Sequence, residues 1–169
     1  MTVYKWKENE LVDAVFDEEK NNRYLLTCTW DSSKPSVTFI MINPSVGRVE
    51  VADATLRKCA DFSKHWGKGS MKVVNLYSQV TAYPSELRTP TNEENNENNI
   101  YVKKAIAEAD CAIFAWGELK REHRERANEV ICLVPEEKQF CIKKNVNGQF
   151  PRHPLFLRGD LEPIRWVEM

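Results

Sequence analysis

The hydrophobic pattern of the chain centres on Val37-Thr38-Phe39-Ile40-Met41-Ile42, an apolar and β-branched run that ends in Asn43-Pro44-Ser45. A continuous run of this kind, closed by a turn signal, predicts a strand buried on both faces. Pro44 has no N–H for a sheet ladder and pushes Asn43 out of helical backbone, so the strand must stop there. In an open α/β sheet, ligands sit beyond the carboxyl ends of the strands. Asn43 and Ser45 would lie on that edge, either as site residues or as no more than a turn capped by Asn43.

The remaining elements follow from the same periodicities. Leu11, Val12, Val15 and Phe16 fit a short helix or an edge strand, followed by a turn at Glu19-Lys20-Asn21-Asn22. Arg23 to Trp30 is β-branched and aromatic enough for a strand. The turn from Asp31 to Pro35 then leads into the central strand, so these two strands are expected to be antiparallel neighbours. Val51 to Trp66 predicts a helix, with Leu56, Cys59, Phe62 and Trp66 at helical spacing and Gly67 and Gly69 ending it. Asp53 sits near its start, where the helix dipole favours a carboxylate.

Met71 to Tyr77 is a second short apolar strand with Asn75 near its end, and Thr81 to Pro90 a loop. Thr91 to Ala109 reads as a helix, polar and asparagine-rich at its start, whose later apolar face is Ile100, Val102, Ala105 and Ile106. Cys111 to Gly117 is a third buried strand. Glu118 to Val134 is a charged helix that turns Ala127, Val130, Ile131 and Val134 inward, and Gln139 to Lys143 is a last short strand. Strands alternating with helices imply one α/β domain over residues 1–169, a three-layer sandwich with a mostly parallel central sheet flanked by helices.

Composition narrows the class. The 169 residues are 42% apolar and 29% charged, ordinary for a globular protein, with a net charge of −1. That balance argues against the broad basic footprint of non-specific DNA binding but leaves room for a local basic rim. The run from Lys120 to Arg126 is read as a solvated helix face. No stretch could span a membrane, and Met1-Thr2-Val3-Tyr4-Lys5 carries no leader-like apolar run. The five cysteines are scattered and never in C-x-x-C spacing, which suits buried reduced thiols in a cytoplasmic protein and not a zinc site. No metal or cofactor is implied.

The strong catalytic motifs are missing: there is no Walker A loop, no G-x-G-x-x-G, no G-x-S-x-G and no H-E-x-x-H. What remains is positional. Asn43 and Ser45, Asn75, and Trp116-Gly117 close successive buried strands, and in a parallel sheet those ends share one edge. Arg152-His153 would join them from the C-terminal segment. His153, between Pro151 and Pro154, is conformationally restrained, which suits a positioned donor; it could equally be a plain loop residue. His65 and His123 fall on helices and are read as surface or packing residues.

Arg23-Tyr24-Leu25…Trp30, Ile40-Met41-Ile42-Asn43-Pro44-Ser45, Asp53-x-Thr55-x-Arg57-Lys58-Cys59, Val74-Asn75-Leu76-Tyr77, Phe114-Ala115-Trp116-Gly117 and Pro151-Arg152-His153-Pro154-Leu155-Phe156-Leu157 resemble the uncharacterised family DUF1643. The resemblance covers nearly the whole chain and implies no activity. Met41-Ile42-Asn43-Pro44, Val73-Val74-Asn75 with Val80-Thr81, Phe114-Ala115-Trp116-Gly117 and His153-Pro154-Leu155 are more distantly similar, in the same order, to the motifs of the uracil-DNA glycosylase superfamily. That similarity implies a glycosylase-like fold. It also implies that Asn43 positions the attacking water, Asn75 hydrogen-bonds the base edge and His153 stabilises charge on the departing base. The chain departs from the superfamily pattern with Met41 in place of the opening glycine, and with a last motif that lacks the serine contacting the DNA backbone.

Two readings of function follow. One is an enzyme acting on a nucleobase, nucleotide or nucleic acid by hydrolysis of an N-glycosidic bond, with base flipping if the substrate is a nucleic acid. Asn43, a neutral amide, cannot be the base; Asp53 is the candidate, with helix capping as its alternative role. The other is a nucleotide or modified-base binding module that hydrolyses nothing. A carboxylate near Asn43 would favour the first. In either case Ser45, Trp116, Arg23 and Arg152 would line the substrate site, the two arginines as phosphate ligands unless paired structurally with acidic residues.

Overall fold

The computed structural model describes residues 4–46 and 49–167, so part of the N-terminal stretch read for a leader, Met1 to Val3, lies outside the described residues. Strand β1 (Tyr4–Lys5) is followed by β2 (Leu11–Phe16), β3 (Arg23–Thr29), β4 (Ser36–Met41) and β5 (Val51–Ala52). Helix α1 (Ala54–His65), β6 (Ser70–Asn75), α2 (Asn92–Ala107), β7 (Cys111–Phe114) and α3 (Arg121–Cys132) come next. Strands β8 (Gln139–Cys141) and β9 (Ile164–Arg165) complete the order, with short 3-10 turns at Pro84–Glu86, Glu136–Lys138 and Pro154–Phe156. The segment from Leu11 to Phe16 is therefore an edge strand, not a helix.

Seven strands form one sheet in the order β2-β3-β6-β4-β7-β8-β9, and β1 pairs with β5 in a separate two-stranded sheet. The expectation of a mostly parallel sheet is corrected. β6-β4-β7-β8 run parallel, but β2–β3, β3–β6 and β8–β9 are antiparallel, as is β1–β5. The connection between β2 and β3 is a tight turn, and a parallel pairing needs a crossover of a dozen residues or more. The sheet is mixed.

A second correction concerns β3 and β4. They are not neighbours, because β6 lies between them. The turn that joins them is pinned to the start of β6 instead of closing a hairpin: the Trp30 and Asp31 N–H groups donate to the Gly69 carbonyl at 3.0 and 2.9 Å, and the Gly69 N–H donates to the Pro35 carbonyl at 2.9 Å. Only a residue without a side chain fits there, since a Cβ on Gly69 would lie 1.8 Å from the Asp31 carbonyl oxygen.

Apolar side chains alternate along the central strands and feed two cores, one on each face of the sheet. Val37, Phe39, Met41, Met71 and Val73 pack with Leu56, Cys59 and Phe62 of α1. Ile40, Val74, Leu76 and Phe114 pack with Val102, Ala105 and Ile106 of α2 and with Ala127 and Val130 of α3. Thr38, fully buried on β4, is satisfied by donating its hydroxyl to the Ala105 carbonyl at 2.8 Å. Helices α1 and α2 begin later than their patterns suggest because a side-chain cap stops each of them, while α3 starts at Arg121 without one. Asp53 accepts from the Leu56 N–H at 2.7 Å and Thr91 from the Glu94 N–H at 3.1 Å, as N-cap carboxylates and hydroxyls do. Among the described residues no helix is long and apolar enough to cross a membrane. Cys28, Cys59, Cys111 and Cys141 are buried free thiols and Cys132 is an exposed one. Burial pushes Cys28 up to about 12 and Cys141 up to about 11, so neither forms a thiolate near neutrality.

One buried ion cluster ties the lead-in to β2 onto α1. The side chain of Glu10 is out of contact with solvent and receives two Arg57 N–H bonds of 2.6 Å and one from Lys64 at 2.7 Å. Burial opposes the charge on Glu10, but the hydrogen bonds from Arg57, Lys64 and the Lys7 backbone outweigh it and hold the carboxyl at about 2. Its stabilising contribution is complete above the ordinary value of 4.5 and is lost as pH falls through about 2. Glu10→Gln would leave Arg57 and Lys64 without their shared carboxylate. Urea unfolding at neutral pH should then show a loss of about 3 kcal/mol, a loss that shrinks as the wild type is acidified.

Candidate active site

Strands β4, β6 and β7 end together. Met41 of β4 stands opposite Asn75 of β6, and Ile40 opposite Phe114 of β7. The pairing runs on past the strand ends: the Leu76 and Tyr77 N–H groups donate to the Met41 and Ile42 carbonyls, and the Ala115 N–H to the Ile40 carbonyl. Beyond this edge lie two adjoining cavities. The inner chamber, about 110 Å³, is lined by Arg23, Asn43, Ser45, Asp53, Asn75 and His153, with Thr55 and Leu56 at the start of α1. The outer groove, about 550 Å³, shares Asn43, Ser45 and His153 with it and adds Thr81, Tyr83, Trp116, Lys120 and His123. Six of the residues singled out from the sequence thus meet in one chamber, and Trp116 borders the groove. Arg152 is exposed and lines neither cavity.

Each polar group is oriented by its own local bond. The Asn43 amide nitrogen donates to the Thr81 carbonyl and to the Pro44 carbonyl, each at 3.0 Å. Its carbonyl oxygen is left as the acceptor toward the cavities. Asp53 is engaged at both oxygens, one by the Leu56 N–H and the other by the Ser45 hydroxyl at 2.7 Å. His153 begins the Pro154–Phe156 turn, where its Nδ1 accepts from the Leu155 N–H at 3.3 Å. That bond assigns the proton of the neutral ring to Nε2.

Asn75 and Arg23 carry buried side-chain atoms without a partner, as does Asn98 through its side-chain oxygen, but only the first two line the chamber. Asn75 is 1% exposed, and neither its side-chain oxygen nor its nitrogen has a hydrogen-bond partner. A buried amide left unpaired costs stability. Arg23 is 8% exposed, its Nε is unpartnered, and among the described residues no carboxylate lies within ion-pair distance of it. Burial lowers its guanidinium to about 10, with the field of Asp53 pulling the other way, so it stays charged at neutral pH.

Several contributors were not foreseen from the sequence. Asn98, on the inward face of α2 with Val102 and Ala105, donates to the Asn75 carbonyl at 2.9 Å. Arg126 of α3 donates to the Leu76 carbonyl at 2.8 Å and to Asn99 at 2.8 Å. His123 is a packing residue by its burial but also borders the groove, its Nδ1 2.8 Å from the Tyr77 hydroxyl. The one signal in the sequence was a polar residue, Asn98, in register with an apolar stripe. His65 is exposed and 3.1 Å from Glu162. Among the described residues no group of three His, Cys, Asp or Glu side chains could hold a metal ion.

Fold and cleft together define a mixed α/β domain with a polar chamber at the carboxyl ends of its parallel strands. The family model described as protein of unknown function (DUF1643) matches residues 23–155, most of the chain, and the chain belongs to that family. Neither the curated proteins nor the solved structures contain a match.

Burial lowers the affinity of His153 for a proton, and the Asp53 field offsets this only in part. The neutral ring is therefore stabilised by folding: its contribution is present above the ordinary value of 6.5 and is lost as pH falls through the depressed one. An NMR titration of the imidazole should give a midpoint below 6.5. A midpoint above it would mean that Asp53 governs the ring and that the Nδ1 bond does not persist.

Proposed function

We propose that the protein is a nucleobase- or nucleotide-acting hydrolase that cleaves an N-glycosidic bond, with the base held in the inner chamber. The observation that carries this reading is Asn75, a fully buried amide whose donor and acceptor are both unpaired. A base edge that offers one carbonyl and one ring N–H satisfies both at once. The order of the sequence motifs, similar to that of the uracil-DNA glycosylase superfamily, supports the same assignment.

The roles of the other residues follow from their bonds. The carbonyl oxygen of Asn43, fixed by the Thr81 contact, accepts a hydrogen from a water and turns its lone pair toward C1′. The C1′–N bond breaks and its electron pair passes into the base. His153 donates from Nε2 to the oxygen on which that charge collects, as a neutral donor preorganised by its Nδ1 bond. The proton of the water leaves through the Ser45 hydroxyl to Asp53, 2.7 Å away. A carboxylate in the chamber that Asn43 lines supports hydrolysis over binding alone.

A second reading has its own observation. Both oxygens of Asp53 are already engaged, which suits a capping residue in a base-binding module without turnover. Thermal shift against bases, nucleosides, nucleotides and uracil-containing DNA, with product analysis of each hit, separates the two. Hydrolysis predicts a shift together with released free base. Asn75→Ala should then weaken binding by about tenfold or more. Asn43→Ala and His153→Ala should keep binding while lowering kcat by about a hundredfold. Binding without any released base would establish the module, and no shift across the panel would dismiss both readings.

A further inference from the structure

We propose that the inner chamber is an oxyanion site in which Arg23 supplies the charge, so that the ring taken there is itself an anion. This rests on the base-binding reading of Asn75 and names the class of base. Arg23 opens β3, and Asn75 closes β6 two strand positions past the last paired residues, Leu26 and Val73. Both side chains line the same small chamber.

Two other buried charges among the described residues, Glu10 and Arg126, show what Arg23 lacks. Glu10 is bonded by Arg57 and Lys64, and Arg126 by Leu76, Asn99 and Glu129. Arg23 has no such partner among the described residues, and its Nε is sealed from solvent. A desolvated guanidinium without a counter-charge is costly, and its planar fork matches an oxyanion. Asp53 does not fill the role. It acts on Arg23 only through its field, while its oxygens are held by Leu56 and Ser45.

The size of the chamber decides where the charge must sit on the ligand. It measures about 110 Å³ and opens onto the groove of about 550 Å³, so a ring held in the chamber leaves its sugar and phosphate to the groove. The negative oxygen beside Arg23 therefore belongs to the ring read by Asn75, as a ring carboxylate or an ionised ring oxygen. In the hydrolytic reading the second form is also what the departing base becomes as it leaves, when the C1′–N electron pair spreads onto its carbonyl oxygen.

Calorimetric binding to the full chain tests this with four probes: uracil as the neutral ring, barbiturate as the ionised ring oxygen, orotate as the ring carboxylate, and inorganic phosphate alone. The expected result is at least tenfold tighter binding of barbiturate or orotate than of uracil, with whichever binds identifying the form of the anion. Arg23→Gln should bring that ratio near one. In the absence of ligand its melting temperature should match or exceed that of the wild type, since an unpaired buried charge is removed. Should the variant fail to fold, the wild-type ratio alone decides.

Equal binding of neutral and anionic rings, or a preference that survives Arg23→Gln, overturns the oxyanion site and leaves the Asn75 reading standing. Binding of phosphate alone, dependent on Arg23 and with no ring bound, overturns both the anionic ring and the base reading. No binding of any probe overturns both.

Discussion

The site depends on a place where two strands part. β3 and β6 pair as far as Leu26 and Val73, separate, and meet again where the Arg23 N–H donates to the Ser78 carbonyl at 2.9 Å. Past Val73 the ladder to β3 has ended, and the buried carbonyls of Asn75 and Leu76 must be satisfied in another way. Asn98 from α2 and Arg126 from α3 reach across from the far face of the sheet to do so. The strand end is held open without an unpaired backbone, and the side chains of Arg23 and Asn75 are left to line the chamber on the α1 face. Two helices thus support a cleft that they do not themselves line at that point.

Around this opening the polar groups divide by whether the protein satisfies them. Asp53, Ser45 and the Asn43 nitrogen are bonded locally, so their geometry is set before any ligand arrives. The Asn75 amide and the Arg23 Nε are buried and unpaired, the groups that a ligand would satisfy in the proposed reading. This is the usual division between a framework that fixes positions and the groups it leaves for recognition. The His153 ring stands at the boundary, with one nitrogen committed to the backbone and the other left as a donor. Gly117, at φ +79°, lets the chain leave β7 toward this histidine, whose Cβ is 3.7 Å from where a glycine Cβ would stand. The wider groove beyond is walled by Trp116 and Tyr83.

Much of the architecture was legible in the sequence for simple reasons. An apolar run closed by Asn43-Pro44 has to be a central strand that ends there, because proline ends a ladder and six buried positions need cover on both faces. Asp53 ahead of a helical stripe has to cap, because the first N–H groups of a helix need an acceptor. The helix around Val102, Ala105 and Ile106 and the strand at Cys111 follow from period alone. Asn43, Asn75 and Trp116 could be named as neighbours because parallel strands finish on one edge.

Strand order and the state of each buried charge were settled only in three dimensions. Local pattern cannot show that Gly69 admits the Asp31 carbonyl and so lets β6 slip between β3 and β4, since the contact joins residues far apart in the chain. Nor can it show that Arg152 is exposed and lines neither cavity while Arg23, distant from every other site residue in sequence, is buried and lines the chamber. Whether a charged side chain is buried with a partner, as Glu10 is, or without one, as Arg23 is, depends on which atoms the folded chain places around it. The sequence by itself determined the elements, because hydrophobic period and proline chemistry are local. The tertiary structure decided which polar groups are left without a partner, because desolvation and pairing are properties of the assembled core.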